Sequence, residues 1–430
     1  MRKEFLLLLL LVGFNIALPA QDINKIITVS EFERIEKVLS SDAMQGRKTF
    51  SPGIAAASGF IENEFKQTGL QFLPGLNSYR QVFYMAETKN NTANVTIDGV
   101  AIADSNLAVI SFAPAVSLTQ NDEVEIVHID SAAELRSKIG QVFGSDKNQL
   151  VLADNSLKRF AGRLVNMASS SMDSSSKSIV IVFGIKEANE FAIKLNNTIT
   201  KKELNNVVGI LPGKTKPDEY VVFSGHYDHL GIGKPDATGD SIYNGANDDA
   251  AGTTAVILLA KYFKALNNNA RTLIFVTFTA EEIGGFGSEY FSNQLDPAKV
   301  MAMFNIEMIG TESKWGTNSA YITGYEKTDM GKILEKNLEG SKFKFYPDPY
   351  PEQQLFYRSD NATLARKGVP AHTISTSKMD SEKYYHTQKD EIGTLDLDNM
   401  AEIIKSVAAS SVSIISGKDT PTRVNTSELR

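Results

Sequence analysis

The chain has 430 residues, enough for two folded units at roughly 150 residues per domain. Hydrophobic residues make up 42% and charged residues 22%, globular values that exclude a disordered chain. A net charge of −7 argues against a nucleic-acid partner, and the lack of cysteine excludes disulfide scaffolds, cysteine nucleophiles, iron–sulfur clusters and thiolate zinc fingers.

Arg2 and Lys3 precede the apolar run Phe5 to Val12, and Ala17-Leu18-Pro19-Ala20 leads into Gln21. A basic start, a short apolar core and a small-x-small end predict a secretory signal peptide over residues 1–20. The product is therefore expected to be exported, to the periplasm or outside the cell, with no membrane contact after cleavage. No later stretch reaches the roughly 18 apolar residues of a membrane helix.

Residues 21–93 read as the first part of the main domain. A helix is predicted over 29–40, with Ser30 and Glu33 as a capping box and Phe32, Ile35, Val38 and Leu39 on one face. A second runs from Ile54 to Gln67 and stops at Gly69. Residues 94–200 change texture. Short β-like runs (Asn94–Ile97, Leu107–Phe112, Val124–Ile129, Leu150–Ala153, Ser178–Phe183) and a serine-rich loop, Ser169 to Ser178, predict an inserted, smaller, β-rich domain.

Over 201–416 strands and helices alternate. Strands are expected at Val207–Ile210, Tyr220–Ser224, Leu273–Thr279, Ala302–Met308, Ala320–Thr323 and Ala371–Ser375. Helices are expected at Ala250–Leu266, Phe286–Gln294, Asn361–Lys367 and Leu397–Ile415. The fold class is α/β, with a mixed, largely parallel central sheet sandwiched by helices. The polar residues Lys418 to Arg430, within a tail over 417–430, predict a loose end. Gly209 to Thr215 imitates a phosphate loop, but the spacing is one residue short and no helix follows, so it reads as a strand-ending turn.

Four segments carry polar residues that an ordinary core would reject. A buried strand runs into His226-Tyr227-Asp228-His229. At a strand's carboxyl end such residues point into the crevice where α/β proteins place ligands, and Asp228 could take the second ring N–H of His226. His229 reads as structural, with lining the pocket as its alternative, His372 as core and His128 as part of the insert. Asp248 and Asp249 stand at a helix start, where acids often serve only as caps. Glu281 and Glu282 directly follow a buried strand, and a bound cation would relieve their mutual repulsion. Glu307 interrupts an apolar strand, where an unpaired carboxylate would be costly. Far downstream comes Tyr384-Tyr385-His386-Thr387. Nitrogen and oxygen ligands without sulfur suit catalytic zinc, and five are too many for one open tetrahedral ion but suit a pair.

The order His-x-Asp, Gly-Ala-x-Asp-Asp-x-x-Gly, Ala-Glu-Glu, Asn-x-acid-Met and Tyr-His-Thr resembles the secreted co-catalytic di-zinc aminopeptidases, a clan shared with glutamate carboxypeptidase, the transferrin receptor ectodomain and the glutaminyl cyclases. The match covers roughly residues 200–415, with a weaker echo in Ser41–Leu70. The resemblance implies two Zn2+, replaceable by Co2+ or Mn2+ because the same ligands accept several metals. It implies that Asp248 bridges them, that His226 and Glu307 complete one site, and that Glu282 and His386 complete the other. Glu281 would be the general base, Asp228 the acid that orients a ligand, and Tyr357 a tyrosine polarising the scissile carbonyl, with Phe356 competing for that register. A cis peptide is implied at Asp248–Asp249, and a peptide with a free N-terminus as substrate. The insert sits where many members carry a protease-associated domain, a likeness of position alone. Glu307 departs from the family's usual aspartate, and Asn361 from its usual histidine. The expected function is an exported zinc metallo-exopeptidase, with a carboxypeptidase, a single-zinc glutaminyl cyclase or a non-catalytic binding protein as alternatives.

Overall fold

The computed structural model describes residues 22–168, 170–172 and 177–429. The expected signal peptide and part of the serine-rich loop lie outside the described residues. Helix α1, Val29–Leu39, starts where its sequence predicts and ends one residue sooner. Its cap is Thr28, whose hydroxyl accepts from Glu31 N–H at 3.1 Å, not Ser30. Thr28-x-x-Glu31 offers the same box pattern, and Thr28 already has extended backbone angles. Helix α2, Pro52–Thr68, is capped by Ser51 and ends at Gly69, whose φ of 74° suits a residue without a side chain.

Strand β1, Arg80–Ile97, then leaves the main body. Next come β2 (Leu107–Ser111), β3 (Val124–Ile129), α3 (Ala132–Gly144), β4 (Asn148–Ala153), α4 (Ala161–Ala168) and β5 (Ser178–Phe183). Strand β6, Phe191–Leu211, returns antiparallel to β1 along almost its whole length. The insert is thus a four-stranded sheet of order β2-β5-β4-β3 carried on the outer end of a long arm of β1 and β6, which the short strand Ala115–Thr119 joins along β6. Val151 and Ile181 face α3 and α4, while Leu150, Leu152, Val180 and Val182 face Val95, Phe191 and Ile193 of the arm. This two-residue alternation is what a sheet covered on both sides requires. The two helices were not foreseen.

The remaining elements are β7 (Lys216–His226), α5 (Ala251–Leu266), β8 (Arg271–Phe278), α6 (Phe286–Gln294), β9 (Val300–Ile306), β10 (Ser319–Ile322), α7 (Met330–Asn337), β11 (Lys344–Pro347), α8 (Asn361–Ala365), β12 (Ala371–Ser375) and α9 (Leu397–Ser410). The main sheet runs β11-β10-β12-β9-β7-β8-β6-β1. Strands β8, β7, β9 and β12 pair in parallel, while β6 joins antiparallel to β8. Every residue of β8 is buried, as expected of a strand with helices over both faces. Phe223 stacks on Phe275 and Phe304 beneath α5, at centroid distances of 5.7 and 4.9 Å. Val222, Ile274 and Met303 point the other way, onto Phe291 of α6 and Leu364 of α8.

This order decides where the site lies. The chain leaves β7 to form β8 on one side and then crosses to form β9 on the other. The carboxyl ends of β7, β8 and β9 therefore open a crevice at a topological switch point.

The end of the chain is held down rather than loose. Arg271, buried in β8, donates to the carbonyls of Ile414 and Asp419 at 2.7 and 2.8 Å. Arg423 donates to Val300 O and Pro297 O, and Val424 is buried. Contacts at a few of these residues meet the amino ends of the strands, while most of 418–429 stays exposed.

Glu36 of α1 is completely buried, with Thr254 Oγ1 donating to one carboxyl oxygen at 2.9 Å. Burial pushes its carboxyl up to about 8. The folded state therefore holds this proton more tightly than the unfolded chain does. That stability is present below the unfolded value of 4.5 and is lost as pH rises through about 8. Glu36→Gln should melt close to the parent near pH 5 and above it near pH 9, checked by thermal unfolding across that range.

Candidate metal centre

His226 is the last residue of β7, and Asp248 lies in the irregular turn Ala246–Ala250 that opens α5. Glu281 and Glu282 follow β8, Glu307 follows β9, and His386 lies in the loop before α9. The structure brings all of these to one crevice. The expected cis peptide, Asp248–Asp249, is present. Ala280, Met308 and His386 take left-handed φ of 62°, 53° and 57°, beside or at a proposed ligand. Such conformations cost of order 1–3 kcal/mol each and gather at functional sites.

Asp248 sits between two imidazoles. Its Oδ1 lies 3.2 Å from His226 Nε2 and its Oδ2 3.2 Å from His386 Nε2. His386 Nε2 also lies 3.2 Å from Glu282 Oε2. Two ligands at about 2.0–2.1 Å from a tetrahedral zinc stand about 3.3 Å apart, so these separations are the edges a cation would need. Glu307 offers an oxygen within 4.8 Å of the facing atoms of His226 and Asp248. His226 Nε2 and His386 Nε2 are buried and have no hydrogen-bond partner, so both are left for a ligand bond. By composition, spacing and unpartnered nitrogens, the residues fit a zinc-type cation.

The surplus of buried carboxylates points the same way. Burial pushes Glu307 up to about 7 and Asp228 up to about 6. Glu281 is raised well above the ordinary carboxylate range, by burial and by the nearby Glu307, Asp360 and Asp228 charges. Burial opposes a charge on His386, but Asp248 and Glu282 outweigh it and push the ring up to about 10. Burial also opposes ionisation of Asp248, yet the histidines around it hold it low. Acids that resist ionisation beside histidines that hold protons form a compartment short of positive charge.

Asp228 acts differently from its sequence reading. The nearest acceptor to His226 Nδ1 is the Asp228 carbonyl, at 3.1 Å, while the carboxylate stands at 3.7 Å, beyond hydrogen-bond reach. The carboxylate instead accepts from Glu281 N–H at 3.0 Å, Glu282 N–H at 3.3 Å and Thr49 Oγ1 at 3.2 Å. It therefore places the paired glutamates rather than the imidazole. Tyr357 does not reach the crevice. The one-turn segment Leu355–Tyr357 turns it into a separate hollow with Gly324, Lys327 and Asp348. Tyr385, next to the ligand His386, lines the hollow that contains Glu307, Met308 and Ser359. Its ring stacks on His386 at 3.9 Å, and burial raises its phenol. Ser359 hydrogen-bonds to Glu307.

Three further residues hold the proposed ligands, and of these only Asp249 is marked in the sequence, as one of the paired acids at the helix start. Asp249 accepts from the N–H groups of His226, Gly252 and Met308 at 3.0–3.2 Å, tying β7, α5 and the end of β9 together. Asp390 accepts from Asn247 N–H and Asp248 N–H at 2.7 and 3.0 Å. Arg47, fully buried, donates to the carbonyls of Leu39, Tyr227, Asn244 and Gly245. The Asp248 turn is thus gripped on its N–H side from residue 390 and on its carbonyl side from residue 47. Spacing from Asp248 announces neither contact.

Residues 206–411, the segment that supplies every proposed ligand, match Peptidase family M28. That match spans 206 of the chain's 430 residues, a little under half of it. Leucine aminopeptidase 1 of Ajellomyces capsulatus (strain H88) is 27% identical over 215 residues, 46% of this chain and 53% of that protein. Leucine aminopeptidase 1 of Penicillium rubens is 29% identical over 216 residues, with the same coverage. The chain therefore spans about half the length of the curated relatives it matches. Two solved structures share the fold. The aminopeptidase from Aneurinibacillus sp. strain AM-1 superposes with a TM-score of 0.54 at 18% identity, covering 92% of this chain and 95% of that one. BSAP, a zinc aminopeptidase from Bacillus subtilis, does so at 0.54 and 15%, covering 91% and 95%. At these identities the M28 likeness to solved structures is one of architecture.

Proposed function

We propose that the chain is a zinc metallo-aminopeptidase that removes N-terminal residues from peptides and holds two zinc ions, one by His226, Asp248 and Glu307 and one by Asp248, Glu282 and His386. The observation that carries this reading is the bridging position of Asp248, whose two oxygens face different histidines at 3.2 Å each. The aminopeptidase names of the M28 relatives support the reaction class. Zinc supplies Lewis acidity and lowers the pKa of a water it holds toward about 7.

The chain's own groups do the rest. Glu281 accepts a proton from the attacking water and returns it to the leaving amine. Its raised proton affinity suits both halves of that transfer. Asp228 holds Glu281 in place through the backbone N–H. The Tyr385 hydroxyl is the donor we assign to the developing oxyanion, in the role that Tyr357 cannot fill from its own hollow. A substrate ammonium suits a crevice with surplus carboxylates, among them Asp360, which burial pushes up to about 6. Export belongs to this reading and rests on the signal-like residues 1–20. Among the described residues, no helix is long and apolar enough to cross a membrane.

The test is a panel of aminoacyl p-nitroanilides beside their N-acetylated counterparts. Hydrolysis should be confined to free amines, vanish on dialysis against a chelator and return with added Zn2+. Equal cleavage of blocked substrates, or release of C-terminal residues from peptides, would sink the aminopeptidase assignment.

A further inference from the structure

His229 lies three residues beyond the proposed ligand His226, and the sequence leaves it between lining the pocket and a structural role. The structure puts it against the second ligand set. The ring is buried, with 1% of the residue exposed. Its backbone N–H donates to Arg47 O at 3.2 Å, and its ring packs on Gly245, where any side chain would collide with it. Its Nδ1 stands 2.7 Å from Glu282 Oε1 and 3.9 Å from Asp248 Oδ2. With Asp248 and Glu282 it could itself form a three-residue cation site.

The distances separate two roles. Ligands that share a tetrahedral zinc stand about 3.3 Å apart. His386 meets that spacing twice, at 3.2 Å to Asp248 Oδ2 and 3.2 Å to Glu282 Oε2. His229 meets it at neither carboxylate. Its 2.7 Å approach is too close for two atoms sharing a cation and is the length of a charge-assisted hydrogen bond, although the ring is not turned to a straight N–H···O line. It also approaches the opposite oxygen of Glu282, Oε1 rather than Oε2. Neither ring nitrogen is in hydrogen-bond geometry and both are buried, but only Nδ1 has a carboxylate oxygen within reach, Glu282 Oε1 at 2.7 Å. The proton of a neutral ring therefore belongs on Nδ1, facing Glu282.

We propose that His229 is a positioning residue that donates Nδ1–H to Glu282 Oε1 and so turns Oε2 toward the cation shared with Asp248 and His386. This rests on the metal reading above. It adds that Glu282 binds through one oxygen because the other is taken. A hydrogen-bonded ligand carboxylate is held in one orientation, and loss of such a partner typically costs about 10–100-fold in metal affinity.

The test compares His229→Asn with His229→Gln in the full chain. Both carry the same amide, but only asparagine can place its N–H where Nδ1 was. Zn2+ affinity is measured by competition with a chromogenic chelator after the protein is stripped, with Co2+ absorption as a second readout and circular dichroism of the metal-free forms as the folding control. The parent should bind two ions. His229→Gln should hold the weaker ion about 10–100-fold less tightly, and His229→Asn should stay within about threefold of the parent, with an unchanged Co2+ spectrum. Equal retention of both ions by the two variants overturns the proposal. Equal loss in both, with an altered Co2+ spectrum, makes His229 a ligand and overturns it as well. A parent that binds no ion overturns the metal reading itself, so the two failures are distinguishable.

Discussion

Glu281→Gln is expected to lower kcat by about 10²–10⁴-fold while leaving bound metal and fold intact. The separation follows from placement. Glu281 is next to the ligand Glu282, yet the facing distances of 3.2 Å run through Asp248, Glu282 and the histidines. Its backbone N–H, donated to Asp228, is unaffected by the substitution. Glutamine keeps the shape and removes the carboxylate that accepts the proton. It also removes a charge that burial and the Glu307, Asp360 and Asp228 carboxylates disfavour, so the melting temperature should hold or rise. Metal analysis, kcat and thermal unfolding on one preparation check all three. Turnover at the parent rate would remove Glu281 from the role of base.

Arg47→Met should be the most damaging single change in the amino-terminal segment, about 3–5 kcal/mol in stability, the range for breaking a buried charge network by removing one partner. Four carbonyls from three separate stretches, Leu39, Tyr227 and the pair Asn244 and Gly245, lose their donor at once. Buried water could replace only part of that, because the guanidinium is a planar fork with five N–H groups. The positive charge also offsets Glu36, Asp390, Asp248 and Asp228 around it. Arg47→Lys should recover little, since one ammonium cannot reach three stretches of backbone. Denaturant unfolding measures the loss, and metal affinity should fall with it because two of the released carbonyls immediately precede the Asp248 turn. A melting curve matching the parent's would show that the clamp carries no load.

Much of the architecture was legible because burial on both faces writes itself into composition. The runs at Val221–Ser224, Leu273–Phe278 and Ala302–Ile306 are continuous and apolar, and each became a central parallel strand. The proposed ligand residues were legible for the complementary reason. His226, Glu282 and Glu307 break such runs at their carboxyl ends, and nothing in an apolar core would tolerate them there.

The arm β1–β6 was not legible. Its middle, residues 87–94 against 194–200, is mostly polar and announces no strand before Asn94, since its pairing is satisfied chiefly by backbone rather than by apolar burial. Helices α3 and α4 were missed for a related reason. They lie on a small domain, and in each of them only one residue is fully buried. The tail was misread because its anchors, Arg271 and Arg423, are local only in space.

The sequence alone was enough to single out the side chains proposed for the site and to place His226, Glu281, Glu282 and Glu307 after strands of a largely parallel sheet. Those are properties of single segments, set by hydrophobic runs and by the polar residues that interrupt them. The tertiary structure decided which oxygen meets which nitrogen: Asp228 on the glutamate amides rather than on His226, Tyr385 rather than Tyr357 at the hollow, His229 on Glu282, and Arg47 with Asp390 around the Asp248 turn. Each of these depends on angles and distances between segments far apart in the chain, and a hydrogen bond made or missed within half an ångström leaves no trace in composition or spacing.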